Sequence, residues 1–292
     1  MRDDTPSRTA QFVAAARGLG RLLPEAVRIA DDPYGLAFSS SGLAGLVNRS
    51  QDGPTEAIAR LPGVRKWIMY MQVRTRVIDD IVRAFVAAGG RQVVVLGAGY
   101  DCRALRLSEL AGSQVYEIDH PTTQGHKLAV FERLGVTSPA HYVTWDFETR
   151  PMDDLPAALE EAGHDPTMPT LTIWEGVTMY LTEGAIDASL RAIATWSAPG
   201  SELAMTYFAK SLLTSSSLAT RALRAVVQRV GEPYKFGWTP EELPAYLDAR
   251  GLELVRDVSI AESARELLPP DLAAYAARAD SRVARIRTPR AR

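Results

Sequence analysis

The sequence predicts an α/β protein on a doubly wound, mostly parallel seven-stranded sheet with an antiparallel edge strand. Three observations carry that prediction. Gln92 to Leu96 (QVVVL) is an unbroken apolar, β-branched run, the pattern of a central parallel strand covered on both faces. Short runs of the same kind recur at residues 115–118, 142–145, 171–174 and 203–207, with helix-length segments between them, and such alternation implies right-handed crossovers. Residues 252–260 then read as a further strand, and residues 282–287 (RVARIR) alternate charge with apolar side chains, as an edge strand guarded by arginines does.

The elements follow in order. Thr5-Pro6 offers a helix N-cap with Pro at the first helical position, and Phe12, Ala15, Ala16, Leu19, Leu22 and Leu23 fall on one apolar face. Asp32-Pro33-Tyr34-Gly35, the serines at 39–41 and Asp52-Gly53-Pro54 break residues 31–62 into short helices and turns. From Ile68 through Met71, Thr75, Ile78 and Val82 to Phe85, steps of three and four mark a second helix, stopped by Gly89-Gly90. Between the strands, residues 103–111, 121–134, 153–162 and 183–197 read as helices. Residues 208–236 contain a Ser/Thr-rich turn and a helical run, an insertion of the kind that forms a lid. Thr239-Pro240-Glu241-Glu242 is a capping box for a helix ended by Gly251. This divides the chain into an N-terminal helical cap (1–90) and a core (91–292) with the lid inserted, working as one functional domain.

Composition excludes several classes. Of 292 residues, 46% are hydrophobic and 23% charged, so the chain has the makings of a folded core. Thirty-three Lys and Arg against 35 Asp and Glu give a net charge of −2, without the basic excess used on nucleic-acid phosphates. The lone Cys102 rules out an internal disulfide framework and multi-cysteine metal sites, and a cytoplasmic location is the expectation. His120, His126, His141 and His164 show no metal-ligand spacing, so no metal is expected. No apolar run reaches the roughly 20 residues of a membrane span, and the N-terminus MRDDTPSRTA lacks the pattern of a signal peptide.

Gly97-Ala98-Gly99-Tyr100-Asp101, directly after QVVVL, turns a strand sharply toward a helix and lets a ligand approach the backbone. Asp119 lies 20 residues after Gly99 at the end of the next strand, where a carboxylate accepts hydrogen bonds from a ribose diol. Cys102 replaces the third glycine of the dinucleotide fingerprint, and Asp101 puts a negative charge where a pyrophosphate would sit. A nucleoside without phosphates, such as S-adenosylmethionine, fits better than a dinucleotide.

The sequence resembles the leucine carboxyl methyltransferase-like branch of the class I S-adenosylmethionine-dependent methyltransferases, and within it the bacterial enzymes that include polyketide carboxyl O-methyltransferases. The blocks that carry the resemblance are TAQFVAAARG (9–18), DDPYG (31–35), VRTRVIDD (73–80), VVLGAGYDCRALRL (94–107), YEIDHPTTQGHK (116–127), WDF (145–147) and EGVTMYL (175–181). It implies a Rossmann-like fold, S-adenosyl-L-methionine as cofactor and S-adenosyl-L-homocysteine as product. It places Arg74 on the cofactor's methionine carboxylate, Gly97 and Gly99 in the binding loop and Asp119 on the ribose. By the same resemblance Asp146 and the backbone of Phe147 would bracket the adenine, and Glu175 would face the methionine portion.

Read as residues alone, Arg74 also fits an ion pair with Asp79, Asp119 a cap before Pro121, Asp146 a polar residue after an apolar run, and Glu175 a cap on the Gly176 turn. Tyr180 and Tyr207 are candidates for the acceptor pocket, with burial in the core as the alternative for each. Arg103 and Arg106 are expected to brace the loop through Asp101 or Glu117, and Cys102 to fill the junction.

The expected reaction is methyl transfer to a carboxylate of a small molecule. Such a nucleophile is ionised at neutral pH, since its pKa is about 4, and needs no general base. A hydroxyl or amine acceptor, an NAD-dependent oxidoreductase and a non-catalytic cofactor-binding protein are the alternatives. The phosphatase-directed eukaryotic members carry a cofactor-facing lysine in the N-terminal helix. TAQFVAA has none, which argues against a protein C-terminus as acceptor.

Overall fold

The computed structural model describes residues 6–39, 61–214 and 234–289. Seven strands form one sheet: β1 (Gln92–Leu96), β2 (Gln114–Asp119), β3 (His141–Thr144), β4 (Thr170–Trp174), β5 (Glu202–Phe208), β6 (Glu253–Ser259) and β7 (Ser281–Arg287), in the order β3-β2-β1-β4-β5-β7-β6. β1 to β5 pair in parallel, and β7 runs antiparallel to both its neighbours. The helices are α1 (Arg8–Leu19), α2 (Pro62–Ala87), α3 (Arg103–Arg106), α4 (Pro121–Leu134), α5 (Leu155–Glu161), α6 (Glu183–Thr195), α7 (Ser211–Thr214), α8 (Glu242–Asp248), α9 (Ile260–Leu267) and α10 (Pro270–Ala276).

β1 is buried along its whole length, as its unalternating sequence requires. Its Val93 and Val95 join one apolar cluster with Val82 and Phe85 of α2 and with Ile260 and Ala264 of α9. Val94 and Leu96 join the opposite cluster, with Leu155 of α5, Leu190 of α6 and Leu243 of α8. Two layers of helix therefore sandwich the sheet. No helix among the described residues is long and apolar enough to cross a membrane.

The structure moves three boundaries. The cap of α1 is Ser7, whose hydroxyl accepts from the Ala10 amide at 3.1 Å, in place of the expected Thr5. Phe12, expected on the buried face, is 61% exposed and stacks on Trp67. The burial of α1 falls instead on Ala14 to Leu19, because the helix packs with its carboxyl half against the 34–38 turn. Finally, the antiparallel strand lies one place in from the edge. The arginines of RVARIR reach sideways to carboxylates on both neighbours, Arg285 to Glu202 of β5 at 2.7 Å and Arg287 to Glu253 of β6 at 2.6 Å. Those pairs let a charged pattern sit inside the sheet. β6, with its half-exposed side chains, takes the edge.

Thr239 and Glu242 do exchange capping hydrogen bonds, at 3.1 and 3.2 Å. Most of the segment expected to form a lid, 215–233, and residues 40–60 of the expected cap lie outside the described residues.

Candidate cofactor and acceptor site

A cavity of about 450 Å³ crosses the carboxyl edge of the parallel strands, the crevice where open α/β sheets take ligands. Its floor is the turn after β1. Gly97 and Gly99 both have positive φ, +70° and +51°, and a Cβ on Gly97 would stand 2.8 Å from Val177 Cγ2. Only glycine fits there without strain. The amides of Gly97 and Ala98 are fixed on the Ile118 carbonyl, at 2.9 Å each. α1 forms the opposite wall through Ala10 and Val13, and Gly99 packs directly under Ala10.

Asp119 closes β2 at the cavity. Its Oδ2 accepts from the Gly99 amide and its Oδ1 from the His120 amide at 2.7 Å. A carboxylate offers about four lone-pair positions, so acceptor capacity remains on the cavity side. Burial raises the Asp119 pKa, against the pull of those two amides. Asp146, after β3, holds Thr149 Oγ1 at 2.6 Å and the Glu148 amide at 2.9 Å, and these bonds lower its pKa. Phe147 beside it leaves 41% of its surface exposed on the cavity rim.

The other half of the site is a buried lattice of charge. Arg74, rising from α2, is 5% exposed; its Nε donates to Glu175 Oε1 at 2.8 Å and its Nη1 to Tyr70 Oη at 3.4 Å. Glu175 Oε2 meets Arg103 Nη1 at 2.9 Å. Burial works against the Glu175 charge, but Arg103, Arg74 and Arg17 outweigh it and hold the carboxyl well below the usual range. Arg103 also grips Asp101 and Asp79, Arg106 shares Asp79, and Arg17 of α1 pairs with Asp32 at 2.8 Å while donating to the Tyr100 carbonyl. Arg17, Arg74, Arg103 and Arg106 thus face Asp32, Asp79, Asp101 and Glu175, and the formal charges balance.

The expected residues Arg74, Gly97, Gly99, Asp119, Asp146, Phe147, Glu175 and Tyr180 all line this one cavity. Tyr207 does not. It is fully buried on β5, and its hydroxyl donates to Asp257 Oδ2 at 2.8 Å, so it belongs to the core. β5 continues one residue beyond it, which carries the strand's open end past Tyr207. Arg74 meets Glu175 in place of the Asp79 that sequence proximity suggested; Asp79 is held by Arg103 and Arg106.

Arg103 braces the loop through Asp101 as expected, whereas Glu117 is taken by Lys127 of α4. Asp101 therefore spends its charge on Arg103, and the electrostatic case against a pyrophosphate lapses. Cys102 is buried at the loop-helix junction near Tyr100 and Phe131, and burial pushes its thiol well above the ordinary value.

Arg17 and Lys235 were missed by reading the sequence. Arg17 sits in the quoted block TAQFVAAARG as one basic residue among alanines, and its partners lie elsewhere in the chain. Lys235, on the cavity wall beside Tyr180 and Leu181, follows a segment with no strand or motif signal.

A glycine turn after the first strand, an acid closing the second and a cleft along the carboxyl edge define a doubly wound α/β enzyme with a nucleoside-cofactor site. The chain belongs to the leucine carboxyl methyltransferase family, whose model matches residues 10–194. A Frankia alni protein named "Putative S-adenosyl-L-methionine-dependent methyltransferase" is 32% identical over 223 residues, 75% of this chain and 73% of that protein. A Mycolicibacterium gilvum protein of the same name is 37% identical over 226 residues, 74% of this chain and 72% of that one. In fold, the chain is similar to a crystal structure from Thermobifida fusca described as "a putative methyltransferase", with TM-score 0.55 and 20% identity over 94% of this chain and 98% of that one. A duf574 family protein from Streptomyces avermitilis matches with TM-score 0.57 and 19% identity, over 93% of this chain and 100% of the other. The chain is an S-adenosyl-L-methionine-dependent methyltransferase.

The residues present fit that cofactor. The cavity volume lies within the roughly 300–1,000 Å³ of small-molecule sites. Its donor set has a free-edged carboxylate for a diol, a glycine floor open to close approach and a cation for a carboxylate. Arg74 Nη2 has no partner among the described residues and stands 3.9 Å from the point where a Cβ on Gly176 would lie.

Proposed function

We propose that this methyltransferase esterifies the carboxylate of a small molecule. The carrying observation is the convergence of Arg74, Gly97, Gly99, Asp119, Asp146, Phe147 and Glu175, drawn from five separate stretches of sequence, on the wall of one cavity. In this reading Asp119 takes the ribose hydroxyls, Asp146 the adenine amine, and the Phe147 amide a ring nitrogen. Arg74 takes the amino-acid carboxylate. Glu175 holds Arg74 by its Nε, so that the far edge of the guanidinium is presented to the cleft, and its own charge favours the ammonium and sulfonium nearby.

S-adenosylmethionine supplies a methyl group on a positively charged sulfur. An acceptor carboxylate oxygen forms the new bond to the methyl carbon as the carbon–sulfur bond breaks, and that electron pair neutralises the sulfur. No proton moves, so the protein's tasks are alignment and the exclusion of water. Tyr180 and Leu181 supply an apolar wall for the acceptor.

The test is transfer of labelled methyl from S-adenosylmethionine to a panel of carboxylic acids, phenols and amines. Label that enters the carboxylic acids and is released as methanol by mild base is the expected result. Base-stable label on phenols or amines overturns the carboxylate reading, and no transfer across the panel supports a binding protein without turnover.

A further inference from the structure

We propose that Lys235 is the residue that selects an anionic acceptor, by placing an ammonium at the end of the cleft beyond the methionine half of the cofactor site. This rests on the methyltransferase reading above. The sheet order lays the cavity groups out in sequence: Asp146 and Phe147 after β3, Asp119 at β2, the glycine floor after β1, Glu175 after β4, and Lys235 beside the continuation of β5. Four inter-strand spacings of about 4.8 Å separate the two ends, roughly 19 Å. Carboxylates therefore occupy the end that meets neutral hydroxyl and amine groups, and a cation occupies the other.

The backbone around Lys235 is pinned. Its amide donates to the Met179 carbonyl at 2.7 Å, which ties it to the short turn that carries Tyr180. Tyr234 before it packs against Tyr180 and Phe208, with ring centroids 5.7 and 5.0 Å away. Phe236 and Trp238 after it pack against each other at 5.0 Å, and Gly237 lies so close to the Phe208 carbonyl that any side chain would collide. The neighbouring aromatic side chains are docked into the protein, while Lys235 is exposed and lines the cavity.

Its charge is also uncommitted. Arg74, Asp101, Asp119, Asp146 and Glu175 on the same wall are each held by a partner. Lys235 has no side-chain partner among the described residues. An ammonium held on a fixed backbone beside an aromatic wall is a receptor for an acid whose body lies on Tyr180. Lys235 touches the substrate and orients it; it takes no proton in the reaction.

The probes are benzoate and its uncharged analogue benzamide, titrated calorimetrically into protein saturated with S-adenosylhomocysteine. In the wild-type protein and in Lys235→Arg, benzoate is expected to bind about tenfold or more tightly than benzamide, the scale of one charge-assisted hydrogen bond. In Lys235→Met that preference falls to within about twofold, with S-adenosylhomocysteine affinity and melting temperature unchanged. Equal binding of the two probes to wild type, failure of benzoate to bind, or a preference that survives in Lys235→Met overturns the assignment. Failure of wild type to bind S-adenosylhomocysteine overturns the cofactor reading instead, so the two failures are distinguishable.

Discussion

The two halves of the cofactor cleft are built on different principles. On the β2-β3 side, Asp119 is held by the backbone amides of Gly99 and His120, and Asp146 by the Glu148 amide and the Thr149 hydroxyl, all in the turns at the ends of β1, β2 and β3. On the β4 side, Glu175 pairs with Arg74 and Arg103, and Arg17 with Asp32 and the Tyr100 carbonyl, which ties together α1, α2, the glycine loop and the end of β4. The first half is local and close to solvent, so its groups can be changed with little effect on the fold. The second is buried, and each of its charges is the condition for another. Ligand recognition and stability are separable in one half and bound together in the other.

The sharpest way to break that comparison is Glu175→Gln. It leaves Arg74 and Arg103 buried with one counter-charge fewer, and removing one partner of a buried pair costs about 3–5 kcal/mol. Urea denaturation at neutral pH should show that loss. The pH dependence has a definite sign. The folded-state pKa of Glu175 lies below its ordinary value of 4.5, so its stabilisation is present in full above about that pH and is lost as pH falls toward the folded value. The gap between wild type and Glu175→Gln should therefore stay constant from neutrality down to about pH 5 and narrow below it. A gap independent of pH in the acid range would mean that Glu175 contributes through packing rather than charge.

Asp119→Ala probes the other half. It removes the carboxylate proposed to hold the ribose, and two charge-assisted hydrogen bonds at about 1.5–3 kcal/mol each correspond to at least a hundredfold weaker binding of S-adenosylhomocysteine. The fold should lose far less than with Glu175→Gln, because the amides of Gly99 and His120 adjoin a cavity that water can enter. Calorimetry and denaturation of the same variant check both. An affinity within tenfold of wild type would remove Asp119 from the ribose.

What was legible in the sequence follows the same division. Gly97, Gly99 and Asp119 announce themselves because the strand, the turn and the next strand are consecutive, and the chemistry of a nucleoside site is written in their spacing. β1, β4 and β5 were legible because nearly every residue in them is buried, which leaves mostly apolar runs; β3, where only Val143 is fully buried, was legible as a short run in the repeating strand-helix order. Arg17 was not legible, because its contact with the Tyr100 carbonyl spans 83 residues and depends on α1 lying across the glycine loop. Asp32 read as punctuation in DDPYG, and it does cap the Tyr34 and Gly35 amides, but its second task as the counter-ion of Arg17 is tertiary. RVARIR has the same alternation whether its arginines face solvent or the carboxylates of adjacent strands. Only the pairing of β7 with both β5 and β6 decides between the two.

Tyr207 tests the boundary between core and site, with the smallest expected effect. At the end of a parallel strand an aromatic residue can point into the ligand crevice or into the layer beneath it, and sequence does not distinguish the two. Here the hydroxyl is turned away from the cleft to Asp257 Oδ2, which also accepts from Arg282 Nε at 2.8 Å. Burial, with the nearby Asp257 charge adding to it, drives the Tyr207 pKa far above its ordinary value, so the phenol stays protonated and is no general base at neutral pH. Tyr207→Phe removes one neutral donor while Arg282 continues to hold the carboxylate, and the expected cost is about 1 kcal/mol of stability. Methyl-transfer kcat and KM should stay within twofold of wild type. A tenfold fall in kcat with stability preserved would return Tyr207 to the acceptor pocket and would require β5 to present its side chain to the cleft during turnover.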